Sequence, residues 1–240
     1  MPPSIHPIID LTHPLDSNVP VYPGDPTFHC RQACAVKDSG WAVSELTFSS
    51  HVGTHIDAPS HRIDGAVTVD AIPLEALTRL PARIIDVSHK AVAGGSISLT
   101  DLGPHEAHIK EGMAVLFRTG WDRYFGADQS ERYFQHPHVE RGVAERLVEL
   151  GVAVLGVDTM NPDPTVTDDG SAVFDVHDIV LGAGKVIAEN LTNLKELLDA
   201  QQASGEASMA MVCLAPLKVR GCDGSPIRAF GWVESTTSEH

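Results

Sequence analysis

Apolar positions along the 240-residue chain change period partway through. Up to about residue 90 the apolar segments are short, and many are β-branched. IHPIIDL at 5–11 reads as a strand, as does WAVSELTFSSHVGTHID at 41–57, and RIIDVS at 83–88 is a third. Between the first two lies THPLDSNVPVYPGDPT, 12–27, whose four prolines and Gly-Asp turn predict an irregular loop. PLEALTR at 73–79 predicts a short helix opened by proline, and SLTDLGPHE at 98–106 a capped turn.

Later segments alternate strand and helix. AVLFRTG (114–120), VAVLGVD (152–158), KVIAEN (185–190) and MAMVCLAP (209–216) are apolar runs suited to buried strands. VERGVAERLVELG, 139–151, places Val139, Val143, Leu147 and Leu150 on one helical face, with Gly151 to close it. HDIVLGAG predicts a short helix, and LTNLKELLDAQQA a helix with Thr192 as N-cap. The polar TMNPDPTVTDDGSAV predicts a loop, and GCDGSP a turn. Repeats, low-complexity tracts and linkers are absent, so one α/β domain over 1–240 is the simplest account.

Composition narrows the functional classes. Seventeen Lys+Arg against 32 Asp+Glu leave a net charge of −15, and the basic residues are scattered singly. Such a chain repels phosphate, which argues against nucleic acid and anionic membranes as partners. No basic segment followed by an apolar run opens the sequence, and no apolar run reaches membrane-spanning length; a cytoplasmic protein is expected. Cys30 and Cys34 have a spacing that fits a zinc hook, but Cys213 and Cys222 are nine apart and no histidine follows at finger spacing, so the four read as reduced, partly buried thiols.

Histidine, with 13 copies, is the unusual residue. HVGTHIDAPSH, 51–61, carries His51, His55, Asp57 and His61, all odd-numbered, so a strand would turn them to one side. A helix would swing Asp57 about 200° away from His55. Pro59 should end the strand and give His61 a different aim. Imidazole and carboxylate without thiolate suit Zn²⁺, Mn²⁺ or Fe²⁺. Further ligands must come from elsewhere. His136 and His138, in an H-P-H turn, read as surface residues. His177 and Glu189 each border an apolar element, where a polar group needs a reason, although periodicity alone does not single them out.

The eleven-residue segment resembles the signature H-x-G-T-H-x-D-x-P-x-H of the metal-dependent cyclase hydrolase family, which includes bacterial kynurenine formamidases and isatin hydrolases. IDLTHPL (9–15), PVYPGDP (20–26), GVDTMNPDP (156–164), HDIVLGAGKVIAENLTNL (177–194) and PLKVRGCDGSPIRA (216–229) resemble further family blocks in the same order. The resemblance implies a swivelling β/β/α-type fold and two divalent metals, Zn²⁺ or Mn²⁺. It implies His51, His55 and Asp57 on the first metal, Asp57 bridging to the second, His177 on the second, and Glu189 bridging both. His61 becomes the acid/base, and a metal-activated hydroxide the nucleophile. Tyr22 stands where the formamidases place a tryptophan against substrate, and Asn161 where the family pattern has serine.

The implied reaction is hydrolysis of a small aryl amide, with N-formylkynurenine the leading substrate and ring-opening of a cyclic amide such as isatin the alternative. Glu189 favours the binuclear formamidase branch over the single-manganese isatin hydrolases. A homodimer or larger homo-oligomer is implied, with the N-terminal loop completing a neighbour's pocket. Two readings from other classes are a non-haem iron oxygenase using His55, Asp57 and His177, which leaves His51, His61 and Glu189 idle, and a non-catalytic metal-binding protein.

Overall fold

The computed structural model describes residues 7–165, 173–205 and 207–235. Its strands are β1 (Ile9–Asp10), β2 (His29–Cys34), β3 (Val43–Thr47), β4 (His55–Asp57), β5 (Leu80–Asp86), β6 (Ser96–Ile97), β7 (Ala114–Arg118), β8 (His138–Val139), β9 (Val154–Val157), β10 (Val186–Glu189), β11 (Ser208–Cys213), β12 (Gly224–Pro226) and β13 (Phe230–Ser235). Nine of them form one curled sheet in the order β1-β13-β11-β5-β7-β9-β10-β4-β12. The four central strands β5, β7, β9 and β10 run parallel, and antiparallel wings flank them. Among the described residues, three helices of two turns or more accompany the sheet: α1 (Arg141–Glu149), α2 (Asp175–Gly182) and α3 (Leu194–Ala203).

The central strands read as continuous apolar runs because both faces are covered. Alternate residues divide between two cores. Leu116, Val154, Val186 and Ala188 join Leu194 and Leu197 of α3 on one face. Phe117, Leu155, Val157 and Ile187 join Val143 and Leu147 of α1 and Val176 and Val180 of α2 on the other. The same parity governs β4. Ile56 enters the α3-side core, so His55 and Asp57 face the opposite way, toward α2.

Several local expectations change. Only 9–10 of the expected strand at 5–11 is regular, and residues 5–6 lie outside the described residues. The strand read across 41–57 is two strands separated by a turn over 48–54. Gly53 in that turn takes φ +61°, and a Cβ there would meet Leu15 Cδ2 at 2.4 Å, so the chain cannot run on as strand. The helix expected over 73–79 shrinks to one 3₁₀ turn, Leu74–Ala76. Asn193, at φ +55°, takes the N-cap position of α3 instead of Thr192, whose hydroxyl donates to Asp122 Oδ2 at 2.9 Å. The GCDGSP turn ends in β12, which pairs with β4. Part of the loop after β9, residues 166–172, lies outside the described residues. All four cysteines are free, and Cys30 is exposed.

Candidate metal centre

Register brings the first two groups together. β10 and β4 are antiparallel with Glu189 opposite His55 and Ile187 opposite Asp57. Glu189 shares a face with Ile187, the face that α2 covers, and α2 supplies His177. All four side chains are buried.

Four contacts link them. His55 Nε2 is 3.3 Å from Asp57 Oδ1 and 3.3 Å from Glu189 Oε2. His177 Nε2 is 3.5 Å from Asp57 Oδ2 and 3.3 Å from Glu189 Oε1. These are long for charge-assisted hydrogen bonds, which run to about 2.7–2.9 Å. They match the edge of a tetrahedron with metal–ligand bonds of about 2.1 Å, which is roughly 3.4 Å. Each carboxylate turns one oxygen toward each imidazole, so the four side chains converge on one focus.

The outer ring nitrogens are pinned. His55 Nδ1 donates to the Gly53 carbonyl at 2.8 Å, which directs an Nε2 lone pair inward. His177 Nδ1 lies 2.6 Å from Asp163 Oδ2. Asp163 is fixed in turn by the backbone N–H groups of Val176 and His177 at 2.9 and 3.1 Å. His55 Nε2 and Glu189 Oε1 are buried with no hydrogen-bond partner among the described residues. Buried polar atoms left unpaired are costly, so a cation at this point fits the donor set.

His51 and His61 arrive from turns. His51 Nδ1 is 2.7 Å from Asp57 Oδ1, and its Nε2 is 2.9 Å from Asp223 Oδ2. His51 is therefore brought in by the 48–54 turn and not by strand alternation. Its fit depends on Gly224, where a Cβ would sit 2.7 Å from His51 Cε1. Pro59 opens a 3₁₀ turn, Pro59–His61, so the strand ends before His61 as expected. His61 Nδ1 lies 3.2 Å from Asp223 Oδ2, and its ring is 4.0 Å from that of His51. Ligand atoms of His51, Asp57 and His61 lie within 4.8 Å of one another, as do those of His55, Asp57 and Glu189. Asp57 belongs to both groups.

Electrostatics follow from this crowding. Burial works against a proton on either imidazole, but Asp57 and Asp223 outweigh it at His51 and raise its pKa to about 9. Asp57 and Glu189 do the same for His55, raising it to about 10. His177 is raised in the same way, with Asp163 the largest of the opposing effects. Burial opposes the charge on Asp57, yet the surrounding histidines hold its carboxyl well below the usual range. Asp223 is held low chiefly by the hydrogen bond from His51.

A cavity of about 420 Å³ opens above the cluster. All seven site residues named from the sequence line it: Tyr22, His51, His55, Asp57 and His61, with His177 and Glu189 at its floor, and Asp25, Arg62, Phe174, Asn161 and Asp223 complete much of the wall. Tyr22 packs beside Trp121, Tyr133 and Met160, and burial raises its phenol pKa. Asp223, Asp163 and Arg62 are site residues that periodicity missed. Their only signals were an Asp-Gly turn, an Asp-Pro pair and an arginine beside a histidine. His136, expected at the surface, is buried. Its Nδ1 meets the Pro137 carbonyl at 2.9 Å and its Nε2 meets Thr165 Oγ1 at 2.7 Å, so both nitrogens are satisfied inside.

The sequence profile of the Cyclase family matches residues 9–164. Kynurenine formamidase of Bordetella petrii is 32% identical over 231 residues, covering 92% of this chain and 95% of the relative. Isatin hydrolase A of Labrenzia aggregata, solved with benzyl benzoate bound, superposes with a TM-score of 0.78 at 28% identity, covering 94% of this chain and 93% of that one. A structure described as a potential metal-dependent hydrolase with cyclase activity gives a TM-score of 0.69 at 27% identity, covering 94% and 96%.

Proposed function

The chain belongs to the Cyclase family, and from that premise we propose that it is an arylformamidase-like, metal-dependent hydrolase that cleaves N-formylkynurenine to kynurenine and formate. The observation that carries this reading is the shared pair of carboxylates. Asp57 and Glu189 each turn one oxygen toward His55 and the other toward His177, at 3.3–3.5 Å. His51, His55 and Asp57 would hold one divalent cation and His177 a second, with Asp57 and Glu189 bridging. Zn²⁺ and Mn²⁺ suit this nitrogen and oxygen donor set. Such ions supply Lewis acidity, polarising a carbonyl and easing deprotonation of water near neutral pH.

The remaining chemistry belongs to this chain's own side chains. His61 is partly exposed at the cavity wall, with Nδ1 engaged by Asp223 and Nε2 left to exchange protons. It takes a proton as water adds to the formyl carbon and returns one to the departing anilide nitrogen when the C–N bond breaks. Asp223 orients both His61 and His51 through one oxygen. Tyr22 provides an aromatic wall for an aryl substrate. No side chain needs to act as the nucleophile. Ring-opening of isatin uses the same bond chemistry, and the superposition on isatin hydrolase A keeps it as the second reading.

The reading further takes the whole chain as one domain, working in the cytoplasm as a homodimer or larger homo-oligomer on a small molecule. Among the described residues no helix is long and apolar enough to cross a membrane. The test is a hydrolysis screen of N-formylkynurenine, isatin and formanilide with Zn²⁺- or Mn²⁺-reconstituted protein. Release of formate from N-formylkynurenine without O₂ uptake is expected. O₂ consumption, or no turnover of any of the three, overturns the reading.

A further inference from the structure

We infer that Arg62 is the specificity residue of this cavity, and that it selects aryl amides carrying a carboxylate by binding that carboxylate with its guanidinium. The inference rests on the hydrolase reading above and adds to it the residue that recognises the carboxylate of the substrate. The charges pose the problem. The chain carries −15, and Asp25, Asp57, Glu189 and Asp223 all line the cavity. An anionic substrate meets a negative field outside and carboxylates within. Among the described residues lining the cavity, Arg62 is the single Lys or Arg.

Its geometry is that of a prepared receptor. Arg62 Nε donates to Asp178 Oδ1 of α2 at 2.8 Å. The guanidinium carbon stands 4.7 Å over the Phe174 ring centroid, and Phe174 in turn sets its edge against His177 at 5.8 Å between centroids. One edge and one face are thus fixed, while Nη1 and Nη2 have no hydrogen-bond partner among the described residues. The side chain is about one-third exposed, so these donors remain reachable. A planar fork of free N–H groups, already immobilised, suits a carboxylate better than a flexible ammonium would. The neighbouring Phe174 puts an apolar surface between that anion and the metal ligands, where the linking part of the substrate would lie.

The experiment pairs charged and uncharged ligands. Specificity constants are measured for N-formylkynurenine and formanilide on the wild type, Arg62→Gln and Arg62→Lys, all metal-reconstituted. The ratio of N-formylkynurenine to formanilide should fall about 10–100-fold in Arg62→Gln, with the loss in KM more than in kcat, and recover in part in Arg62→Lys. Equilibrium titration with kynurenine and with its methyl ester should show the same loss of discrimination, and this arm needs no turnover. An unchanged ratio together with unchanged discrimination in binding overturns the assignment. If the wild type hydrolyses neither substrate yet Arg62→Gln still loses its preference for kynurenine over the ester, the hydrolase reading fails and the carboxylate site stands.

Discussion

The site has a floor and a rim that reach the same carboxylate by different means. His55, Glu189 and Asp57 stand on paired strands, and His177 on a helix packed over them, with the outer ring nitrogens of His55 and His177 pinned by the Gly53 carbonyl and Asp163. His51 and His61 ride on turns and share one acceptor, Asp223, which is 43% exposed. On the floor, contacts of 3.3–3.5 Å leave room for a cation. At the rim, contacts of 2.7–3.2 Å are hydrogen bonds already made. The difference separates two settings: paired strands and a helix hold polar atoms a cation's width apart, while turns bring His51 and His61 to an edge that Asp223 leaves partly open to water.

The most severe way to break this division is Asp57→Asn, which removes the one group common to floor and rim. Bound metal should fall well below stoichiometric by elemental analysis, and kcat/KM should drop by at least ~10³-fold. Retention of both would disprove a bridging role. His61→Ala sharpens the contrast: it should keep most of the metal and lose rate by ~10²–10⁴-fold, whereas His55→Ala loses both together. Metal content and kcat measured on the same preparations decide it, and an unchanged kcat in His61→Ala removes that residue from the mechanism.

Protons should compete with the metal at both levels. Without metal, the pKa of His51 is about 9 and that of His55 about 10, against 6.5 for an ordinary histidine. Raised values mean that the folded metal-free protein binds these protons more tightly than the unfolded chain. Their stabilising effect is complete below about 6.5 and disappears as pH rises through 9–10. Metal binding needs both rings neutral, so affinity should move the other way, tightening up to about tenfold per pH unit for each proton displaced. Competition titrations between pH 6 and 9 measure the slope, and a flat profile refutes the proton count. The mildest change is Asp163→Asn, which loosens His177 without touching the cavity floor. It should weaken metal binding by about 10–100-fold while the isolated fold persists. An unaltered affinity would show that α2 alone orients the ring.

The floor was the more legible of the two in the sequence. Period-two alternation correctly puts His55 and Asp57 on one side of β4, because Ile56 between them belongs to the core. The same logic reaches His51 by a wrong route, since Gly53 breaks the strand and the turn does the aiming. His177 and Glu189 were indicated by resemblance, because strand pairing across the sheet leaves no local pattern. Asp223, Asp163 and Arg62 carry isolated charges in or beside turns, where any solvated residue would look the same. His136 misleads for a related reason: two satisfied hydrogen bonds let a polar ring go inside, and the H-P-H sequence records neither.

The distribution of the cluster along the chain also sets when it can exist during folding. His51, His55 and Asp57 are close enough in sequence to meet in a collapsed coil, but Glu189 reaches them only after β10 has docked on β4, and Asp223 only after β12 closes that edge. A cation would find an incomplete, weakly binding set early and the full set last. Stabilisation gained so late falls mainly on the escape from the native state, so metal should slow unfolding far more than it speeds refolding. Stopped-flow rates with and without Zn²⁺ would show it, a matching acceleration of refolding being the contrary result. In the cell, occupancy of the centre would then report that β12 has closed the sheet edge.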